Sequence, residues 1–253
     1  ALCYCYSGQC LMSSLIGGRS GNRGQCAQPC RLPYGANGEK GYLLSPKDIC
    51  TLDLIPDLID AGIDSFKLEG RMKRPEYVAG VTGMYRKYTD LYLERGRAGY
   101  RVDETDRKQL MDLYNRGGFH NGYYGQHNGK EMISKERPNH AGVAAVRVTG
   151  QKGREVTGAA LTEIGKGDVL SFPAGIKEDY TFGAAYKKGA ENVKLLVPKQ
   201  VRIKPGTILY RTKNRTLLEE LEKSIQFGKI QEKIYGYFTL SIGKPAKLIV
   251  CSD

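Results

Sequence analysis

No apolar run in this 253-residue chain reaches the ~18 residues that a membrane-spanning helix needs. No basic-then-apolar leader stands at its start, so a cytoplasmic protein is expected. No HExxH-type spacing joins His120, His127 and His140, and they read as surface-loop residues. Neither Ser7 nor Ser13 stands in a nucleophile-elbow sequence, and no Ser-His-Asp or Cys-His pattern is visible. The most local absence is acid: residues 1–38 contain no Asp or Glu.

What fills that acid-free stretch is cysteine. Cys3, Cys5, Cys10, Cys26 and Cys30 lie within it and Cys50 follows, so the first fifty residues carry six of the seven cysteines. A single cysteine is most often a small buried hydrophobe, but this density calls for another reason. Disulfides are disfavoured where nothing marks a chain as secreted. Thiolate clusters select zinc or iron–sulfur. Neither the paired CxxC of zinc ribbons nor the tight ferredoxin run is present, so spacing leaves the metal open. Four thiolates on a cluster leave net negative charge, which Arg19, Arg23, Arg31 and backbone N–H groups would stabilise. The loop GGRSGNRGQ (17–25), with Arg19 and Arg23, could equally wrap a phosphate or serve as a plain tether.

The net charge of +12 and pI near 9.3 point to an anionic partner, with nucleic acid first. A basic enzyme with no such partner is the plain alternative, since the positive charge is spread along the whole chain.

Along the chain, residues 41–45 read as a short buried strand and 46–61 as a helix with Leu52, Ile55, Leu58 and Ile59 on one face. Residues 63–70 read as a strand, and a second helix starts at Pro75 with Tyr77, Val81, Met84, Tyr85, Tyr88, Leu91 and Tyr92 at helical spacing. Strand and helix in alternation predict parallel α/β architecture. Lys67, Glu69 and Arg71 alternate at the end of the predicted strand, where parallel sheets place ligand groups. They are candidate catalytic residues, with a structural ion-pair network as the alternative. A third helix is expected over 104–116. From about residue 138 the pattern changes to short β-prone runs with Gly-rich turns, which is how a small antiparallel barrel reads. A helix over 216–226 and a hairpin turning at Gly243-Lys244-Pro245 close the chain.

The string CYCYSGQCLMSSLIGGRSGNRGQCAQPCRLPY, then YLLSPKDIC, then SFKLEGRMKRPEYV, closely resembles the collagenase-like peptidase family U32. The resemblance implies the C-terminal portion of a TIM-like barrel over 1–137, a small β-barrel over 138–213 and the start of a further region over 214–253. Domain boundaries ordinarily fall in polar linkers. A chain opening at ALCYCYSGQC and closing at KLIVCSD is therefore expected to be a piece of a longer protein, lacking the upstream barrel portion. Such a piece is expected to be inactive by itself and prone to self-association through exposed strand edges.

Members of the family carry a peptidase label, while several act as oxygen-independent hydroxylases of nucleobases in ribosomal or transfer RNA, or of quinone precursors. These hold a four-iron four-sulfur cluster, and the RNA-acting members use prephenate as co-substrate. Carried over by position, the ligands fall on Cys3, Cys10, Cys26 and, through SPKDIC, Cys50. Cys30 is the substitute for the fourth, and Cys5 matches no ligand position. Lys67 and Arg71 would then hold an acidic cofactor. The YLLSPKDIC form is most similar to the branch that hydroxylates a cytidine of large-subunit ribosomal RNA. A peptidase and a non-catalytic RNA-binding module are the competing expectations.

Overall fold

A computed structural model describes residues 2–5, 10–70, 73–124, 129–173, 176, 178–228 and 234–252. The first short helix, α1 (Met12–Gly17), ends where Gly18 turns left-handed at φ 64°. Strands β1 (Tyr34–Ala36) and β2 (Glu39–Gly41) form a hairpin, because Asn37 and Gly38 both take the positive φ that a tight turn of matching twist needs. Strand β3 (Asp48–Ile49) precedes α2 (Ile55–Asp60). The long α3 (Pro75–Arg95) has Pro at its first position and Gly96 just beyond its end, and α4 (Glu104–Leu113) is capped by the Asp103 carboxylate, which accepts from Thr105 N at 2.6 Å. Strand β4 (Phe119–His120) pairs parallel with β3 over two residues.

A core of Leu52, Ile55, Tyr88, Val102 and Leu110 joins these helices, with Ile59, Val81, Met84, Tyr85 and Leu91 packed around it. The apolar stripe of α3 thus faces inward, as its spacing predicts. Each fully buried aliphatic side chain contributes about 1.5–3 kcal/mol.

The second part is a nearly closed six-stranded antiparallel barrel. Its strands are β5 (Val143–Lys152), β6 (Glu155–Ala160), β7 (Val169–Ser171), β8 (Asp179–Thr181), β9 (Val193–Leu196) and β10 (Ile208–Lys213), in the order β8-β7-β10-β5-β6-β9. The segment between the edge strands β8 and β9 bonds back through Tyr186 to Ile164 and through Ala190 to Ala160. Alternate residues of β6 and β9 are buried, and Val146, Val148, Val156, Leu170, Val193, Leu195 and Leu209 fill the interior. Gly158 lies so close to β5 that an added Cβ would meet Val146 Cγ1 at 2.5 Å and Arg147 O at 2.7 Å. Helix α5 (Arg215–Phe227) follows, capped by Asn214, and a ribbon of β11 (Ile234–Thr239) and β12 (Lys247–Ser252) ends the described chain.

Several local expectations are corrected. Residues 42–45 are not a strand; the strand lies at Glu39–Gly41, in the hairpin set by Asn37-Gly38. The helix expected over 46–61 is confined to Ile55–Asp60, since Pro56 is tolerated only in a first turn and Asp48–Ile49 is taken up by β4. Residues 63–70 form no strand, having no strand among the described residues to pair with. The helix expected over 104–116 stops at Leu113, because Tyr114 turns extended (φ −172°, ψ 131°). Of the TIM-like barrel expected over 1–137, the described residues form one parallel pairing, two residues long.

Candidate functional site

The cysteine loop is held by its own backbone and by α1. Arg19 N reaches back to Ser13 O at 3.2 Å, and Ser13 Oγ, buried, accepts from Ala27 N at 2.9 Å. This draws residues 19–27 back over the helix. Arg19 Nε donates to Gln25 O at 3.0 Å and closes the loop, whereas Arg23 is exposed and makes no side-chain hydrogen bond among the described residues. Gly21 lies against both Cys10 and Cys26: a Cβ there would stand 3.7 Å from Cys10 O and 3.6 Å from Cys26 Cβ. Cys26 Sγ accepts from Gln28 N at 3.2 Å. Tyr123 Oη donates to Cys3 O at 3.1 Å and Tyr4 O at 2.7 Å, anchoring the other end of the loop.

Cys30 is the thiol around which the others gather. Burial pushes its pKa up; neighbouring Arg31 opposes this, and Cys3, Cys26 and Cys10 each add to the rise. Cys50 lies elsewhere, 4% exposed in the helical core. Burial raises its pKa too, with the Leu52 backbone, Arg107, Asp53 and Tyr85 as its neighbours and no other cysteine among them. The donor chemistry around Cys30 suits a thiolate-bound cluster, in four sulfurs and no acid nearby in sequence. The convergence is missing: among the described residues no three His, Cys, Asp or Glu side chains meet where one metal ion could be held. The loop is therefore not a closed metal centre as it stands.

Beside the loop is a basic cluster assembled from four parts of the chain. Arg31, half-buried, donates to Ser45 Oγ at 2.8 Å, to Leu2 O at 3.0 Å and to Pro46 O, and so clamps the cysteine loop onto the SPKD segment. Arg116, 5% exposed, donates to Asp48 Oδ1 at 2.6 Å and to Pro138 O at 3.1 Å. The Lys73 ammonium stands 2.8 Å from the centroid of the Tyr114 ring; the Arg116 guanidinium lies 4.9 Å from that centroid, and His140 stacks on the ring at 5.3 Å. Burial, then the charges of Arg116 and Arg31, pull the Lys73 pKa down to about 8, with Asp48 opposing. Burial and Arg116 likewise lower that of Arg31.

Lys67 and Glu69 are both exposed, with Phe66 and Leu68 turned the other way; Phe66 packs edge-to-face on Tyr85 at 6.4 Å. The expected alternation is there, but the charges face water, and neither makes a hydrogen bond or ion pair among the described residues. Arg71 lies outside the described residues, as does His127. His140 corrects the surface-histidine reading, being half-buried with Nδ1 accepting from Asn115 N at 3.1 Å. Sequence reasoning passed over Asp48, Lys73, Tyr114 and Arg116. Their one signal was a position beside motifs already noticed, SPKD and GRMKRP, or just before Gly117-Gly118.

No helix among the described residues is long and apolar enough to cross a membrane. The sequence profile of peptidase family U32 matches residues 1–134. A tRNA hydroxylation protein of Bacillus subtilis is 45% identical over 105 residues, covering 36% of this chain and 25% of that protein. A 23S rRNA 5-hydroxycytidine synthase of Escherichia coli is 46% identical over 101 residues, covering 37% of this chain and 16% of that protein. A collagenase of Porphyromonas gingivalis is 38% identical over 131 residues, covering 49% of this chain and 36% of that protein. The matched stretches thus span between 16% and 36% of these relatives' own length. No solved structure matches the chain.

Proposed function

The chain belongs to peptidase family U32, and on that premise we propose that it is part of an RNA-modifying hydroxylase. Its substrate in this reading is a nucleobase of ribosomal or transfer RNA, with prephenate as co-substrate, a four-iron four-sulfur cluster as cofactor and the cytoplasm as its place of work. Residues 1–137 would contribute to a TIM-like barrel completed by upstream chain, and this piece alone would be inactive. The observation that carries the reading is the acid-free loop in which Cys3, Cys10 and Cys26 neighbour Cys30, next to a basic cluster. Relatives named for RNA hydroxylation, at 45% and 46% identity, support it. The net charge of +12 suits a polyanionic substrate.

Cys3, Cys10 and Cys26 would hold the cluster, with Cys50 as the fourth ligand by resemblance and Cys30 by proximity. When bound, a cluster supplies redox or Lewis-acid chemistry. This chain's own residues would do the rest: Arg31 holds the loop against the SPKD segment, and Lys73 and Arg116 present positive charge beside it. Arg19 and Arg23 would shield the cluster's charge, while Lys67 and Glu69, both exposed, would serve the substrate side together with Arg71, which lies outside the described residues.

The test is iron content and visible absorbance of anaerobically purified protein, together with mass spectrometry of RNA from a deletion strain. Brown protein that loses its colour in Cys3→Ala with Cys10→Ala, and a hydroxylated base missing from the strain's RNA, are the expected results. Cys30→Ser is expected to lower bound iron more than Cys50→Ser. Colourless, iron-free protein after anaerobic reconstitution refutes the cluster. A second reading, a peptidase, rests on the collagenase relative at 38% identity; cleavage of gelatin by iron-free protein, abolished by a point substitution, would favour it.

A further inference from the structure

We infer that Lys73, flanked by Arg31 and Arg116, forms a seat for a small oxyanion, the carboxylate or phosphate group of a small molecule. Charge balance is the starting point. Among the described residues the basic cluster brings together three cations and one carboxylate, Asp48. Arg116 and Asp48 are 6% and 9% exposed at the side chain and bond at 2.6 Å, which accounts for one positive charge. Arg31 directs its guanidinium at neutral oxygens only, of Ser45, Pro46 and Leu2, so its charge is held in place without being neutralised. The Lys73 ammonium has neither a hydrogen bond nor an ion pair among the described residues; its contacts are the rings of Tyr114 and Tyr77.

A ring face attracts an ammonium but accepts none of its N–H bonds in the way an oxygen does. A half-buried ammonium with two guanidiniums nearby is thus short of acceptors and in excess of charge, the condition under which a charge-assisted bond to an oxyanion is strongest. The depressed pKa of Lys73 reports the same imbalance, with burial first and the two arginines next. Among the described residues, the titratable groups that surround it are Arg31, Arg116, Asp48, Tyr77, Tyr114 and His140. Only one of these is an acid that is ionised at neutral pH.

The four parts reach the spot for separate reasons. The β3–β4 pairing sets Asp48 beside the segment after α4 that carries Arg116. The 3₁₀ turn Pro29–Arg31 carries Arg31, and the lead-in to α3 carries Lys73. The inference stands apart from the hydroxylase reading, since it concerns binding and not RNA chemistry. If that reading holds, the seat is where its acidic co-substrate would rest.

The experiment is reductive methylation of the 253-residue chain at pH 8, read per lysine by mass spectrometry, in chloride, malonate or inorganic phosphate. An oxyanion on Lys73 raises the amine's pKa by about one unit, which slows its modification about fivefold at pH 8. The exposed Lys187 and Lys188 are expected to be unchanged. Slowing by malonate names a carboxylate ligand, and slowing by phosphate names a phosphate. The anion-dependent rise in Tm should vanish in Lys73→Met and persist in Lys73→Arg. Equal Lys73 rates in all three salts overturn the seat, as does a Tm rise that Lys73→Met leaves intact. RNA modification is scored separately in the deletion strain, so loss of the seat and loss of the hydroxylase reading register in different measurements.

Discussion

Arg211 of β10 and Asp112 of α4 are joined by two hydrogen bonds, of 3.0 and 2.7 Å, with their side chains 7% and 4% exposed. Arg211 also donates to Asp168 Oδ2 at 2.9 Å and Glu163 O at 2.6 Å, and Asp168 accepts from Gly165 N and Arg215 N. Asn214, the cap of α5, donates to Asp112 Oδ2 at 3.0 Å. One guanidinium therefore ties the barrel to the helical part. Burial pulls the Arg211 pKa down, but the bonds to Asp112 and the charges of both carboxylates outweigh it.

Removing Arg211 leaves two carboxylates buried without their counter-charge. Arg211→Met is expected to cost about 3–5 kcal/mol of unfolding free energy, measured by urea titration. Adding Asp112→Asn and Asp168→Asn should recover part of that loss. A single substitution costing less than about 1 kcal/mol would show that the network does not hold the two parts together.

His140 makes stability sensitive to acid. Its pKa is lowered by burial, which outweighs the opposing Asn115 backbone bond and Asp112 charge, so protonation puts charge into the interior. A depressed pKa contributes stability that is present above the unfolded-state value of about 6.5 and is lost as pH falls through the folded value. Thermal melts should therefore be level above about pH 7 and fall below about pH 6. In His140→Gln the fall should be smaller. An unchanged fall would assign the acid sensitivity to other groups.

The ribbon β11–β12 exposes Ile234, Tyr235, Tyr237, Phe238, Leu248, Ile249 and Val250, and among the described residues neither strand has a third strand beside it. Two-stranded ribbons with apolar faces and open edges are marginal alone and prone to pair. The 253-residue chain is expected to self-associate in sedimentation experiments, and Tyr237→Lys with Ile249→Lys to return it toward monomer. A monodisperse monomer at high concentration would show that the ribbon finds no partner.

Local patterns in the chain foretold local structure well. The apolar positions of α3 repeat at helical spacing, and Pro75 and Gly96 mark its ends, so its extent is a matter of neighbours in sequence. Strands β6 and β9 alternate for the same reason, each residue's face following from its own parity, whereas β5 buries both Ala145 and Val146 where its register shifts. The strand expected over 41–45 lies instead at Glu39–Gly41, in a hairpin whose Asn37-Gly38 turn played no part in that expectation. Residues 63–70 alternate but form no strand, because among the described residues no partner strand lies beside them: a strand requires a neighbour, which parity cannot supply.

By itself, then, the sequence determined the family motifs, the acid-free cysteine loop, the long helix and the alternating barrel strands, because each depends on residues a few positions apart. Tertiary structure alone decided which groups meet. Cys30 and Cys50 have equal claims as residues, yet one faces the other thiols and the other lies in an apolar core, since Pro29–Arg31 turns onto α1 while Cys50 follows β3 inward. Asp48 and Arg116, 68 positions apart, meet because two short strands pair in parallel. Lys73 joins them from a third segment. Convergence over such separations is set by chain pairing and packing, and no local periodicity encodes it.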